Sequence, residues 1–405
     1  MQRRLIKKSG DTVSSIGFGA MRLPTKNGKV DREKSRKLIY HGIDQGINII
    51  DTAAMYGNGD NEKFLGEILK GEYKDKVLIS TKLPVFSINK EEDFEKHLNE
   101  ELKRLQRNTI DYYFLHNVDL KNLRRLEKLN VYKFLQKAKE EGKVKNIGFS
   151  YHGSKDKFNQ MIDSYPWDVV MVQYNYLDNN IQASIEGIQY AASKDIGIFV
   201  MEPLKGGLLA GKMPEEVEKI FKNKDPDRTN VDWAISWILN QPEISCVFSG
   251  MQSIENINEN IEIANRVDVG SMSLDELNTI EEAKQAMQKK LKINCTTCGY
   301  CMPCPRGVNI PESLKIYNEK YLFNQKGLIS PSMLDYLLVV GGILNEEAYA
   351  GLCNSCGKCI RKCPQHLNIP KELKKVKKEF EIPGFKYFRK IVKKIGLPLY
   401  NLLGL

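Results

Sequence analysis

Eight of the nine cysteines lie between Cys295 and Cys363, in two runs with regular spacing. The first run reads C-x2-C-x2-C-x2-C-P and consists of Cys295, Cys298, Cys301 and Cys304; the second reads C-x2-C-x2-C-x3-C-P and consists of Cys353, Cys356, Cys359 and Cys363. A short loop of this kind presents three thiolates to three corners of an iron–sulfur cubane, while a more distant cysteine reaches the fourth iron. Structural zinc prefers separated cysteine pairs, and disulfides are rare in reducing compartments. The pattern therefore predicts two [4Fe–4S] clusters.

The second run matches the bacterial ferredoxin pattern, and the first is one residue shorter before its last cysteine. In two-cluster ferredoxins the fourth cysteine of each run binds the other cluster. By this resemblance, cluster I is held by Cys295, Cys298, Cys301 and Cys363, and cluster II by Cys353, Cys356, Cys359 and Cys304. The intervening segment Pro305–Leu352 is too long for a compact hairpin and has helix-like stretches at Pro311–Tyr321 and Ser332–Val340. We therefore expect a mostly helical two-cluster ferredoxin-type domain.

Polar side chains close several apolar, β-branched runs in the earlier part of the chain. They are Asp51, Lys82, His116, Ser150 and Gln173, and Tyr56 follows Asp51 in its loop. Reduction of a carbonyl group needs a proton donor beside the oxygen that receives the charge. A free tyrosine has a pKa of about 10, and a nearby ammonium lowers it by favouring the phenolate. Tyr56 is the predicted donor and Lys82 the ammonium. Asp51 would hold Lys82, and His116 would orient the carbonyl and share the proton.

Eight apolar runs alternate with stretches of helical periodicity, which predicts an α/β fold, a (β/α)8 TIM barrel. The carboxyl ends of barrel strands meet at one face, where these polar residues would converge. The alternative, an open doubly wound sheet, usually carries G-x-G-x-x-G after its first strand, but the stretch from Gly17 to Arg22 lacks the third glycine. The predicted strands are Ile16–Ala20, Ile47–Asp51, Val77–Lys82, Ile110–His116, Val144–Ser150, Val169–Gln173, Gly197–Met201 and Ile244–Ser249.

Over roughly residues 1–270, the order and spacing of the aspartate, tyrosine, lysine and histidine described above resemble those of the aldo-keto reductase superfamily. The resembling stretches are Asp51-Thr52-Ala53 with Tyr56-Gly57, Ser80-Thr81-Lys82, Asp111-Tyr112 with His116, Gly148-Phe149-Ser150, Gln173-Tyr174-Asn175, and Ser249-Gly250 with Glu259-Asn260. That family binds a nicotinamide cofactor without a Rossmann fold. The resemblance implies that Tyr56 is the general acid, supported by Lys82, Asp51 and His116. The implied cofactor-binding residues are Ser150 and Gln173 at the carboxamide, Met201 at the stacking position, and Gly250, Ser253 and Asn260 after the eighth strand.

Three features depart from the family's pattern. Tyr151 follows Ser150 where the family usually has asparagine, and Met201 stands where an aromatic residue usually stacks on the nicotinamide. The loop 250–256 lacks the lysine and arginine that commonly grip a 2′-phosphate, so the sequence does not choose between NAD and NADP. The methionine leaves room for a flavin in place of, or beside, the nicotinamide.

The sequence predicts a barrel at 1–270, a connecting helix at 271–293, a two-cluster module at 294–370 and a basic amphipathic tail at 371–405. The tail carries most of the formal net charge of +10, so the charge does not indicate a nucleic-acid-binding protein. We expect the tail to pack as a helix, with an anionic membrane surface or an acidic partner as the alternative. The absence of a long apolar stretch or a signal-peptide core predicts a cytoplasmic location.

Two functions fit this pattern. The first is an oxidoreductase that transfers hydride between a nicotinamide cofactor and a small carbonyl or alcohol, coupled through the clusters to a one-electron carrier such as a ferredoxin. The second is an electron-carrier or redox-sensing protein on a reductase-like barrel, with a flavin link possible in principle. The intact set of Asp51, Tyr56, Lys82 and His116 favours the enzyme.

Overall fold

The computed structural model describes residues 1–26, 28–327, 330–342, 346–385, 387 and 389, and for Asn58 the backbone alone. The chain divides into two compact units. The first consists of Met1–Lys205 and Arg228–Asn278, and the second of Gly206–Asp227 and the chain from Thr279 onwards. The predicted barrel at 1–270 is continuous, whereas the structure groups residues 206–227 with the second unit. The predicted connecting helix also crosses the division, since it spans Leu274–Lys290.

Eight parallel strands close into a barrel in the first unit, which confirms the predicted fold. The strands follow one another around the barrel in chain order, and the eighth pairs with the first. Each lies close to its predicted position. The strands are β1 (Ile16–Gly19), β2 (Ile49–Asp51), β3 (Leu78–Leu83), β4 (Ile110–Val118), β5 (Val144–Tyr151), β6 (Val169–Gln173), β7 (Gly197–Met201) and β8 (Ile244–Ser249).

Aromatic and aliphatic side chains fill the interior of the barrel. Tyr112, Phe114, Met171, Phe199 and Phe248 are all buried in one cluster. Successive side chains of a strand point to opposite faces, so Tyr112, Phe114 and His116 share the inner face of β4. The barrel is therefore a packed core.

Most of the helices between the strands bury an apolar stripe; the short helix Glu72–Lys76 buries no residue. The helix Glu92–Leu105, for example, buries Phe94, Leu98 and Leu102. Several begin at a side chain that accepts a backbone N–H bond, as Asp31, Asp119 and Ser253 do. The helices are α1 (Arg32–Asp44), α2 (Asn61–Ile68), α3 (Glu72–Lys76), α4 (Glu92–Leu105), α5 (Leu120–Glu127), α6 (Val131–Glu140), α7 (Phe158–Asp163), α8 (Ser184–Ala192), α9 (Glu215–Lys224), α10 (Asn230–Leu239), α11 (Ile254–Arg266), α12 (Leu274–Lys290), α13 (Ile310–Leu322), α14 (Pro331–Asp335) and α15 (Ile369–Phe380).

The second unit is helical around its cysteines, as predicted. Its core joins α13 to α15 through Leu314, Leu373 and Phe380. Because α15 contributes to this core, the module does not end at residue 370, and residues 371–380 of the predicted tail belong to it. Most of the remaining tail lies outside the described residues. Within the described ranges, no helix is long and apolar enough to cross a membrane.

Candidate active site and cluster sites

Asp51 and Lys82 form a buried ion pair at the carboxyl ends of β2 and β3. Asp51 is the sheet partner of Ser80, and Lys82 lies on the same face two residues farther on. Lys82 Nζ lies 2.7 and 2.6 Å from the two carboxylate oxygens of Asp51 and 2.8 Å from the carbonyl oxygen of Thr52. Burial lowers the pKa of Lys82 and raises that of Asp51, and the pairing opposes both shifts. The ammonium therefore depends on its carboxylate partner.

Tyr56 lies beside this pair, at the start of a tight turn. Lys82 Nζ is 4.9 Å from the centroid of the Tyr56 ring. The ring of His116 is 6.1 Å away, centroid to centroid, and nearly perpendicular. Gly57 follows with φ of +57°, and a Cβ there would lie 1.9 Å from Asn61 Oδ1, so the turn requires glycine. The structure thus brings all four predicted catalytic residues together.

His116 is buried, 3% exposed, on the inner face of β4. Burial lowers the pKa of His116 well below its ordinary value, and the charges of Lys82 and His152 add to this effect. The ring is therefore neutral near pH 7. A neutral imidazole can orient a carbonyl oxygen by donating a hydrogen bond, but it carries no additional proton to give to that oxygen. Of the two roles predicted for His116, the structure therefore favours orientation of the carbonyl over sharing of the proton. His152, which the sequence patterns missed, stands close to His116 because β4 and β5 are neighbours.

The predicted carboxamide-binding residues lie on adjacent strands. Ser150 is buried in β5, and its Oγ accepts a 2.7 Å bond from the backbone N–H of Asn117. Gln173 ends β6 and is the direct sheet partner of Met201, which ends β7. Met201 therefore stands next to the glutamine on the neighbouring strand. Tyr151 instead packs against Phe158, so it adds no group to the site.

A buried polar network holds Gln173 in place. Gln173 Nε2 donates a 2.9 Å bond to Asp178, and its Oε1 accepts a 2.9 Å bond from Gln182. Asp178 also forms an ion pair with Lys205, which is 1% exposed. Because a carboxylate only accepts hydrogen bonds, it fixes which end of the Gln173 amide is the oxygen. No sequence pattern indicates this network, since Lys205 lies beyond a strand end and resembles an ordinary loop lysine.

The three residues after β8 that were predicted to bind the cofactor lie in different surroundings. Gly250 is exposed, and Ser253 Oγ caps α11 by accepting from Asn256 N–H at 3.3 Å. Asn260 is 2% exposed and donates to the Asn256 carbonyl within its own helix. Arg22, which the sequence patterns passed over, has side-chain atoms 3.3 to 3.5 Å from the position of a Cβ on Gly250. The aliphatic part of this side chain therefore packs against the start of the loop, and the Arg22 carbonyl oxygen accepts a 3.0 Å bond from Gln252 Nε2.

The eight clustered cysteines line two cavities in the second unit. One cavity of about 250 Å³ is lined by Cys353, Cys356, Cys359 and Cys304, and also by Cys301, which lines both cavities. A narrower one of about 20 Å³ is lined by Cys295, Cys298, Cys301 and Cys363. Among the described residues, no group of His, Cys, Asp or Glu is placed to hold a metal ion. The cysteines surround cavities instead, and four thiols with no other ligand type are the donor set of a [4Fe–4S] cluster.

Two family models match the chain, one after the other. The model of the aldo/keto reductase family matches residues 15–284, and that of the 4Fe-4S dicluster domain matches residues 294–375. L-galactose dehydrogenase of Arabidopsis thaliana is 26% identical over 300 residues, which cover 69% of this chain and 93% of the relative. Aldo-keto reductase yakc of Schizosaccharomyces pombe, named for NADP(+), is 32% identical over 235 residues, which cover 54% of this chain and 67% of the relative.

Solved structures show the same barrel. Aldo-keto reductase AKR11C1 from Bacillus halodurans, in its holo form, superposes with a TM-score of 0.59 at 23% identity, over 70% of this chain and 96% of that one. An aldo-keto reductase from Klebsiella pneumoniae in complex with NADPH gives a TM-score of 0.58 at 20% identity, over 69% of this chain and 95% of that one. None of these relatives supports the flavin that Met201 left open.

The closed barrel, with its buried lysine–carboxylate pair beside a tyrosine and a histidine, defines an oxidoreductase of the aldo-keto reductase class. The chain belongs to the aldo/keto reductase family and carries a 4Fe-4S dicluster domain after its barrel.

Proposed function

We propose that the barrel transfers hydride between NADP(H) and a small carbonyl or alcohol substrate, and that the second unit holds two [4Fe–4S] clusters that exchange single electrons with a carrier protein. The observation that carries the first part is the buried Lys82–Asp51 pair next to Tyr56 and His116. Four such groups at one end of a barrel form an acid–base site. The ion pair places a positive charge beside the tyrosine, and the tyrosine supplies the proton.

The residues have distinct roles in carbonyl reduction. The Tyr56 hydroxyl gives its proton to the substrate oxygen as that oxygen gains negative charge. The Lys82 ammonium stabilises the resulting phenolate, and Asp51 keeps Lys82 charged in a buried position. The neutral His116 donates a hydrogen bond that orients the carbonyl. Carbonyl, hydride and proton together give the alcohol.

The cofactor fits the residues of the barrel end. A reduced nicotinamide, when bound, supplies the hydride. Ser150 and Gln173 would hold its carboxamide, with Met201 against the ring and Ser253 and Arg22 near its phosphates. NADP(H) is proposed over NAD(H) because one relative is named for NADP(+) and one neighbour is in complex with NADPH, and the side chain of Arg22 packs against the loop after β8.

The clusters would be held crosswise, cluster I by the first three cysteines of the first run with Cys363, and cluster II by the first three of the second run with Cys304. The two cavity linings favour this arrangement. Each cluster normally passes one electron, so the two together accommodate the two electrons that a hydride carries.

Transfer of an isotopic label tests the hydride step. Two samples of NADPH carry deuterium at the nicotinamide C4, one on the first face of the ring and the other on the opposite face. Each sample is incubated anaerobically with the protein and a panel of small aldehydes and ketones. We expect deuterium at the alcohol carbon from one of the two samples and none from the other. Oxidation of NADPH without label in any alcohol would contradict the proposal and favour an electron-carrier protein.

The network around Gln173 gives a second prediction. Replacing Asp178 by asparagine removes the charged acceptor that fixes the Gln173 amide, and hydrogen bonds to charged groups contribute about 1.5–3 kcal/mol. We therefore expect the KM for the cofactor to rise about 10-fold or more, with a smaller change in kcat. The measurement is steady-state kinetics with cofactor varied at saturating carbonyl.

Asp168→Asn is the matched control. Asp168 lies next to the amino end of β6, 8% exposed, and its carboxylate pairs with Lys139 at 2.7 Å. This variant should lose some stability, less than Asp178→Asn because Lys139 is 41% exposed whereas Lys205 is buried, and should keep the cofactor KM of the parent. Equal KM changes in both variants would mean that Asp178 acts through stability alone.

A further inference from the structure

The two cysteine loops differ in exposure. Every residue from 294 to 302 is buried or half-buried, and Thr296 is 1% exposed. In the loop of cluster II, by contrast, Asn354, Ser355 and Cys356 are exposed in succession. Electron tunnelling weakens steeply with distance, so a partner protein approaches a cluster best where a ligand reaches the surface. Cluster II is therefore the better point of entry.

The two loops also differ in charge. No charged residue occurs from 293 to 305. From 348 to 371 there is no acidic residue, and the basic ones are Lys358, Arg361, Lys362 and Lys371. All four are exposed. Ile360 lies among them with 38% of its surface exposed.

Helix α15 continues the basic surface. Pro370 and Leu373 line the same cavity as Lys358 and Lys362, which places the start of α15 beside the cluster II loop. Lys371, Lys374, Lys375 and Lys378 are spaced to share one helix face, and all are exposed. The opposite face, with Leu373, Val376 and Phe380, is buried. The lysines are therefore not needed to hold the helix in place.

We propose that this surface docks a small acidic one-electron carrier protein, and that single electrons enter and leave the chain at cluster II. The docking surface, called the cluster II face, consists of Ile360 with Lys358, Arg361, Lys362, Lys371 and Lys374. An apolar contact surrounded by charge is the usual anatomy of a transient protein interface. Complementary charge speeds the encounter, and the exposed Cys356 loop shortens the path for the electron.

The electron balance is simple. One electron leaves the reduced carrier and enters cluster II, and the carrier departs in its oxidised form. Two such encounters deliver two electrons, one for each cluster. The inference rests on two parts of the proposed function, that the cysteines hold clusters and that the clusters exchange electrons with a carrier protein.

The test uses the full chain, purified anaerobically, and a reduced acidic two-cluster ferredoxin as the probe. Stopped-flow absorbance follows cluster reduction as ionic strength is varied. The test variant is Arg361→Glu with Lys371→Glu and Lys374→Glu, three residues that do not line the cluster II cavity. The matched control is Lys121→Glu with Arg124→Glu and Lys128→Glu, which makes the same change of charge at exposed residues of α5 and its end.

At low salt we expect the second-order rate of the test variant to fall about 10-fold or more, because steering by charge changes association rates on this scale. The control should stay within about 2-fold of the parent, and the difference should shrink as salt screens the charges. Equal rates for test variant and parent at low salt would overturn the inference. So would a test variant that loses binding to vesicles of anionic phospholipid while its rate with the ferredoxin is unchanged. A parent protein without iron would instead contradict the proposed clusters themselves.

Discussion

Replacing Tyr56 by phenylalanine is expected to lower the rate of carbonyl reduction by about 10²-fold or more, the usual scale for the loss of a positioned general acid. The change keeps the ring and removes only the hydroxyl. Folding should hardly change, because Tyr56 lies in a half-buried turn. Cofactor affinity should persist, since the hydroxyl faces the substrate oxygen. The measurement is stopped-flow oxidation of NADPH by a panel of small carbonyls, using proteins of equal iron content.

Two further variants make this result specific. Tyr112→Phe removes another barrel hydroxyl, one that donates a 2.7 Å bond to Asp11 far from the acid–base site. It should cost about 1 kcal/mol of stability and leave the rate of reduction unchanged. Lys82→Met should be as severe as Tyr56→Phe, because it removes the ammonium and leaves Asp51 buried without its partner. If Tyr56→Phe reduces carbonyls as fast as the parent, this tyrosine is not the acid.

The second large effect tests whether the fourth cysteine of each run binds the cluster of the other run. Replacing Cys353, Cys356 and Cys359 by serine should abolish cluster II and leave cluster I, with about four irons per chain. In that background, adding Cys363→Ser is expected to remove the remaining iron, because Cys363 completes cluster I. Adding Cys304→Ser should leave it in place. Iron analysis and the visible absorbance of anaerobic samples measure both outcomes.

The two variants would have the opposite effects if the four cysteines of each run held one cluster. In that case Cys304→Ser would remove the remaining iron, and Cys363→Ser would leave the iron content unchanged. The two variants are matched, since each changes the last cysteine of its run to serine.

Much of the barrel could be predicted from the sequence because its signals are local. Each strand is an apolar run, and the residue that closes it carries the chemistry, so Asp51, Lys82 and His116 could be placed by counting along the strands. Their convergence then follows from the closure of eight parallel strands, which brings all carboxyl ends to one face. The packing of the tail's first part as a helix was expected, but the sequence placed the end of the module at residue 370, because lysines dominate the composition of α15 and only five of its residues are buried.

Other parts of the site depend on contacts that no local pattern records. Lys205 pairs with Asp178 across the ends of β6 and β7. The lysine lies in a loop of irregular backbone and has a φ of +47°. His152 approaches His116, and Arg22 approaches Gly250, only after the strands have paired. The grouping of residues 206–227 with the second unit is likewise a property of long-range packing. Such contacts require the three-dimensional fold, since the residues involved have ordinary sequence surroundings.

The central claim is that one chain joins a hydride-transferring barrel to two iron–sulfur clusters. The most direct test is the content of iron and acid-labile sulfide in protein purified without oxygen. About eight of each per chain are expected, from two sets of four cysteines. About four of each would leave one set unoccupied, and stoichiometric zinc without visible charge-transfer absorption would contradict the assignment of both cavities.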